Sequence, residues 1–145
     1  MPKALIVYAT RTGETGKIAE LIAEGLRISG VEVRVCDVKE INSETDLKDY
    51  DAYILGSPTY HGDMLQGMKT FLFMADKADL AEKIGGSFGA FGWSGEALDR
   101  IFDTMKNIFK MEMVSGPLML KSSLLDGGIQ MAQSYGRDIA ARLDN

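Results

Sequence analysis

Short apolar runs alternate along this chain with segments of helical periodicity, and this alternation leaves few folds open to it. The β-prone runs lie at residues 4–9, 31–36, 52–56, 86–92 and 117–120. Most of them are apolar without interruption, which is typical of strands covered on both faces and therefore of a parallel sheet. The run at 31–36 alternates between apolar and polar residues instead, as an edge strand does.

Between these runs, apolar residues recur at intervals of three and four, the spacing of an amphipathic helix. These stripes cover residues 18–26, 65–75, 98–109 and 129–143, with a shorter segment at 43–48. Strands and helices in strict alternation require right-handed crossovers and a doubly wound sheet. We therefore predict a single α/β domain over residues 1–145, a three-layer sandwich whose five-stranded parallel sheet has the order 2-1-3-4-5 with helices on both faces.

The chain contains one histidine and one cysteine among 145 residues. A structural zinc site needs about four such ligands and an iron–sulfur cluster about four cysteines, so we expect neither kind of metal site. The formal charge of −5 argues against a nucleic-acid partner, because binding the phosphate backbone of a nucleic acid needs a basic patch. The apolar run at 4–9 is too short for a membrane span or a signal sequence, so we expect a cytoplasmic protein without a membrane segment.

Ligands of open parallel sheets lie beyond the C-terminal ends of the strands, where the strand order reverses. The loop that follows the first strand and opens the first helix contains Thr10, Arg11, Thr12, Gly13, Glu14 and Thr15. N–H groups in the first turn of a helix bind phosphate, and threonine hydroxyls add donors, so this loop is a candidate phosphate site. The alternative is an ordinary helix N-terminus after a turn.

A nucleotide-binding P-loop is a poor match for this loop. Gly16 and Lys17 resemble the end of that motif, but Arg11 and Ile18 stand where it has glycine and a serine or threonine. Without a hydroxyl at position 18 the magnesium ligand is missing, so we do not expect an NTPase.

Two further loops reach the same edge of the predicted sheet. The loop after the third strand contains Ser57, Pro58, Thr59, Tyr60, His61 and Gly62, and the loop after the fourth contains Phe91, Gly92, Trp93 and Gly95. Tyr60, His61 and Trp93 are candidates to flank a planar ligand. Alternatively, Trp93 covers the core and Tyr60 anchors its own loop. Beside a phosphate site, the aromatic residues favour a ligand with both a ring and a phosphate.

Together the three loops resemble the FMN-binding loops of flavodoxins, and the third also resembles that of the flavodoxin-like domain of flavodiiron proteins. The resemblance covers residues 3–143, without a long insertion in the last strand, as in short-chain flavodoxins. It implies a flavodoxin-like fold that binds FMN, with the phosphate on residues 10–15 and the isoalloxazine between residues 57–63 and 91–96. No catalytic residue of the chain's own is expected.

The resemblance also implies roles for single residues. Trp93 is expected to cover one face of the flavin and His61 the inner face. The segment 61–63 matches the peptide that flips when the flavin takes up one electron, and Gly62 tolerates the positive φ that such a flip requires.

Three positions depart from the family pattern. Arg11 and Glu14 stand where many flavodoxins have small or neutral polar residues. Arg11 either binds the phosphate or faces solvent. The outer-face tyrosine of the third loop is not evident, so Tyr60 is an alternative stacking residue.

From these features we predict a monomeric electron carrier of low potential rather than an enzyme. Negative charge on the protein and phosphate, with an apolar ring site, disfavours an anionic reduced flavin and lowers the potential. Acidic residues near the ligand-side loops are expected to form a docking face for basic redox partners, or else a solvated rim. They are Asp63, Glu96, Asp99 and Asp126.

Two other functions share this architecture. A small FMN-dependent NAD(P)H or quinone reductase is the alternative function, and it would need a pocket for a second substrate over the ring. A receiver-type signalling domain is unlike this chain. It needs acidic residues after the first and third strands, where the sequence has Thr10, Arg11, Ser57 and Pro58.

Overall fold

The computed structural model describes residues 1–90, 96–121 and 127–144. Its strands are β1 (Lys3–Tyr8), β2 (Glu32–Asp37), β3 (Ala52–Gly56), β4 (Ile84–Ala90), β5 (Glu112–Met113) and β6 (Leu118–Leu120). Its α-helices are α1 (Glu14–Ile28), α2 (Gln66–Ala75), α3 (Glu96–Asp103) and α4 (Gly128–Leu143). The strands pair in parallel in the order β2-β1-β3-β4-β5, which confirms the predicted topology.

Two short strands occupy the fifth position of the sheet, where one was predicted. β5 pairs with Ile84 and Gly85 at the start of β4, and β6 pairs with the end of β4 from Phe88 onward. Between them Ser115 has a left-handed φ of 58°. The two residues of β5 are too few to produce a periodic pattern, so the sequence shows only the second piece of this edge.

Two of the predicted helices also differ in kind. The segment at 43–48 forms a short 3₁₀ turn, Glu44–Leu47, rather than an α-helix. The long stripe at 98–109 begins as α3 and continues as a π-helical turn, Thr104–Ile108.

Tyr135 of α4 fills the gap between β5 and β6. Its buried hydroxyl accepts a hydrogen bond from the backbone N–H of Ser87 at 3.0 Å and donates one to the Ser87 carbonyl at 3.1 Å. A continuous edge strand would form hydrogen bonds with this N–H and this carbonyl. In a parallel ladder, the N–H and the C=O of one residue both point to the same neighbouring strand. One side chain therefore satisfies the backbone where the edge strand is interrupted.

The sheet separates two apolar cores. Leu5 and Leu55 face the core under α2 and α3, whereas Ile6 and Ile54 face the core under α1 and α4. This places helices on both faces, as predicted. Among the described residues, no helix combines the length and the apolarity that crossing a membrane would need.

Helices α1 and α4 pack too closely for side chains at their crossing. A Cβ atom at Gly25 would lie 2.0 Å from the carbonyl oxygen of Gln133, and one at Gly136 would lie 2.2 Å from that of Ile22. Glycine is thus required here for space, and the close packing fixes the position of α1 beneath the first loop.

Candidate functional site

Backbone hydrogen bonds continue the sheet beyond the strand ends and hold neighbouring loops side by side. The N–H of Ala9 donates to the Gly56 carbonyl at 2.9 Å, which joins the beginnings of the first and second loops. The N–H of Thr59 donates to the Ala90 carbonyl at 3.1 Å, so the second loop runs beside the end of β4. The third loop departs from that end, and its predicted site residues lie outside the described residues. They are Phe91, Gly92, Trp93 and Gly95.

The first loop connects β1 to α1, so the N-terminus of α1 lies at this edge of the sheet. Gly13 is the N-cap residue, with a left-handed φ of 91°, and it has no side chain with which to cap the helix. A Cβ atom built on Gly13 would meet no other atom within 4 Å, so open space lies beside it. The first-turn N–H groups of a helix have no acceptors within the helix and carry partial positive charge. The arrangement therefore suits an anion.

The polar side chains of the first loop differ in exposure. Thr10 is half-buried, and its Oγ1 accepts a hydrogen bond from the Gly13 N–H at 2.9 Å, which shapes the loop and leaves the hydroxyl hydrogen able to donate. Thr12 is exposed, Glu14 is half-buried and Thr15 is 1% exposed. Thr10 and Thr12 are thus the hydroxyls most accessible to a ligand.

The second loop ends in a tight turn at residues 60–63. The backbones of Tyr60 and Asp63 exchange two hydrogen bonds, with the Tyr60 N–H donating at 2.7 Å and the Asp63 N–H donating at 3.1 Å. The two central residues, His61 and Gly62, have φ values of 52° and 74°. Positive φ at both central positions is the signature of a type I′ turn. The turn's central peptide joins His61 to Gly62.

Ser57 closes the base of the second loop. Its side chain is fully buried, and Oγ accepts a hydrogen bond from the Leu65 N–H at 3.1 Å and donates one to the Pro58 carbonyl at 3.0 Å. The hydroxyl is therefore used inside the loop. Pro58 and Thr59 follow as half-buried residues on the side of the ligand edge.

The carboxylate of Asp63 ties the turn to two helices. Oδ2 forms an ion pair with Lys69 of α2, and Oδ1 lies 2.8 Å from Nη1 of Arg100 of α3. Oδ1 also accepts a hydrogen bond from the Met64 N–H at 2.8 Å. The hydrogen bond from Lys69 is the main cause that lowers the pKa of Asp63, and the positive charge of Arg100 adds to it.

This pairing alters the expected acidic docking face. Asp63 contributes little free negative charge, because two cations neutralise it. Asp99 is exposed on α3, while the side chain of Glu96 and the whole of Asp126 lie outside the described residues. The sequence carries no signal for the roles of Lys69 and Arg100, since they come from different helices.

The side chains of the first two loops are in contact. The guanidinium carbon of Arg11 lies 4.1 Å from the centroid of the Tyr60 ring, within the range of a cation–π interaction. The ring of His61 packs edge-on against Tyr60, with 4.1 Å between centroids and 62° between planes. Arg11 is exposed, as in one of the two arrangements expected for it, and its guanidinium also lies against an aromatic ring.

The single cysteine of the sequence lies near this edge but is buried. Cys36, at the end of β2, is 1% exposed, and burial raises the pKa of its thiol to about 11. Such a thiol stays protonated and unreactive at neutral pH. Among the described residues, no three acidic, histidine or cysteine side chains are close enough to hold a metal ion.

Comparison with known proteins agrees with this architecture. A family model for the flavodoxin domain matches residues 5–115. A solved structure of a flavodoxin from the domain Archaea superposes with a TM-score of 0.92 at 30% identity, over 99% of this chain and 99% of that one.

Two curated relatives are longer than this chain. An uncharacterized protein of Methanocaldococcus jannaschii is 38% identical over 109 residues, which are 73% of this chain and 28% of that protein. Rubredoxin-oxygen oxidoreductase of Megalodesulfovibrio gigas is 30% identical over 150 residues, covering 97% of this chain and 37% of that protein. The chain thus spans about a third of the length of these relatives. By its sequence match and its fold, the chain belongs to the flavodoxin family.

Proposed function

We propose that this chain binds FMN at the carboxyl edge of its sheet and carries single electrons between redox proteins. The main support for this proposal comes from the N-terminus of α1. There Gly13 leaves open space beside backbone N–H groups that can bind an anion. The Tyr60–Asp63 turn lies in the adjacent loop. A ligand whose phosphate binds the first loop can therefore place its ring beside this turn. When bound, FMN supplies the one-electron chemistry.

The first loop binds the phosphate in this proposal. The N–H groups at the start of α1 donate to the phosphate oxygens, and Thr10 and Thr12 add hydroxyl donors. Neither a lysine nor a metal ion is needed, because the helix terminus supplies partial positive charge. Residues 10–15 thereby form one anion site, with Thr15 and Glu14 contributing through the backbone.

The ring lies between the second and third loops. His61, Gly62 and the neighbouring backbone of Ser57, Pro58 and Thr59 form one wall, and Tyr60 is held in place by Arg11. Phe91, Gly92, Trp93 and Gly95 are proposed for the other wall. Aromatic walls exclude water from the ring, and in such a site the net charge of −5 disfavours added negative charge. We therefore propose a low reduction potential.

We propose an electron carrier rather than an enzyme. The relative whose name denotes an oxidoreductase is far longer than this chain, which covers 37% of it, so that activity is attributed to the whole protein. We further propose that the chain acts as a cytoplasmic monomer over residues 1–145. Its partners would be redox proteins with a basic surface, which dock near Asp99 on α3.

The proposal is tested with the purified protein. It predicts a yellow protein, or a colourless one that becomes yellow with added FMN, and a redox titration in two separate one-electron steps. Failure to bind FMN would refute it, and a single two-electron step would refute the carrier function. Steady-state turnover of NADH with a quinone by the pure protein would favour the reductase alternative.

A further inference from the structure

One carboxylate connects the proposed flavin-side turn to two helices on the same face of the sheet. The Asp63 side chain is 26% exposed and accepts from Lys69, Arg100 and the Met64 N–H together. Isolated surface ion pairs contribute little to stability, but a partly buried carboxylate with three donors has a fixed geometry. The orientation of Asp63 is therefore set by helices α2 and α3.

Asp63 also takes part in the backbone of the turn through its own N–H group. The Asp63 N–H donates to the Tyr60 carbonyl at 3.1 Å, so the residue whose side chain is held also closes the turn. At its other end, the loop is closed by the buried Ser57 hydroxyl. The loop is thus fastened at its base by one side chain and at its tip by another.

The local sequence of the turn favours one orientation. His61 and Gly62 both have positive φ, which a histidine adopts at some cost and glycine adopts freely. Rotating the central peptide would convert type I′ into type II′, in which the first central position prefers glycine. His61 stands at that position, so a flip of this peptide, as the resemblance to flavodoxins implies, works against the local sequence.

We propose that Lys69 and Arg100 are positioning residues, which act through the Asp63 carboxylate to hold the Tyr60–Asp63 turn in one backbone orientation and so pre-organise the second loop for FMN. The inference rests on the proposed function, since it names the residues that prepare the ring side of that site. Pre-organisation raises affinity because the loop need not be ordered when the ligand binds.

The test compares Lys69→Met and Arg100→Gln with the conservative variant Lys69→Arg. The matched control is Lys3→Met, which breaks the exposed ion pair of Lys3 with Glu32 at the opposite end of the sheet. Thermal unfolding of each variant checks that the fold is retained. Because the two test variants remove different cations, failure of one to fold still leaves the other.

The first readout is amide hydrogen exchange of Asp63 in the FMN-free protein. We expect exchange about tenfold faster in Lys69→Met and Arg100→Gln, near wild type in Lys69→Arg, and unchanged in Lys3→Met. Equal exchange in all five proteins would overturn the proposal, since the ion pairs would then not order the turn.

The second readout is the dissociation constant of FMN and of riboflavin. We expect both ligands to bind about tenfold more weakly to Lys69→Met and Arg100→Gln, by the same factor because the turn faces the ring, with recovery in Lys69→Arg. Faster exchange with unchanged affinity would overturn the positioning role. Absence of FMN binding by the wild type would instead refute the proposed function, and the exchange data would still show whether the ion pairs order the turn.

Discussion

The guanidinium of Arg11 lies 4.1 Å from the centre of the Tyr60 ring, so the first and second loops touch through their side chains. The contact joins the proposed phosphate side of the site to its ring side. It places the charge of Arg11 on an aromatic face, while the helix N-terminus next to Gly13 is the proposed anion site.

Replacing Arg11 distinguishes two roles for its side chain, ordering the Tyr60 ring and binding the phosphate. We expect Arg11→Ala to weaken the binding of FMN and of riboflavin by the same factor, about two- to fivefold. The reason is that the lost cation–π contact orders the Tyr60 ring and does not involve the phosphate. Titration of the protein's quenching of flavin fluorescence measures both constants. Loss of FMN affinity with unchanged riboflavin affinity would show instead that Arg11 binds the phosphate.

Gly13 offers a test of the anion site with a matched control. Gly13 and Gly30 have φ values of 91° and 88°, and at both a Cβ would meet no atom within 4 Å. Alanine at either position should therefore cost about 1 kcal/mol of stability from backbone strain alone. Only Gly13→Ala should also weaken FMN binding, measured by the same titration. Equal FMN affinities of the two variants would argue against a phosphate beside Gly13.

Tyr135 should contribute more to stability than an ordinary buried tyrosine. Tyr135→Phe leaves both the N–H and the carbonyl of Ser87 without their partner, so we expect a loss of about 1–3 kcal/mol in the free energy of unfolding. Tyr53→Phe is the comparison, because the buried hydroxyl of Tyr53 donates only to the Leu47 carbonyl and should cost less. Urea unfolding measures both, and an equal or larger loss for Tyr53→Phe would contradict this account of the sheet edge.

Much of the fold is predictable because it follows from local patterns. The alternating run at 31–36 identifies β2 as an edge strand, and the uninterrupted runs at 4–9 and 52–56 identify the interior strands, which gives the order of the sheet. The break between β5 and β6 is not predictable in this way. It is stabilised by Tyr135, whose hydroxyl reaches a strand 48 positions away in the chain.

The candidate site, too, is predictable from the sequence only in part. The loops at 10–15 and 57–62 are recognisable because each directly follows a strand, and β1 and β3 are neighbours. The link from Asp63 to Lys69 and Arg100 has no sequence signature, since it depends on how α2 and α3 pack against the sheet. Likewise the contact of Arg11 with Tyr60 depends on the side-chain directions of two separate loops.

The ion pairs of Asp63 should make stability depend on pH in a definite direction. Because the pKa of Asp63 is lowered in the folded state, its stabilising effect is complete above the unfolded value of about 3.9 and is lost as the pH falls through the folded value. We expect Asp63→Asn to be less stable than wild type by about 1 kcal/mol or less at pH 7. The difference should shrink towards zero in acid, below the ordinary range of aspartate. Urea unfolding of both proteins from pH 7 downward measures it, and a difference that stays constant or grows in acid would contradict the assignment.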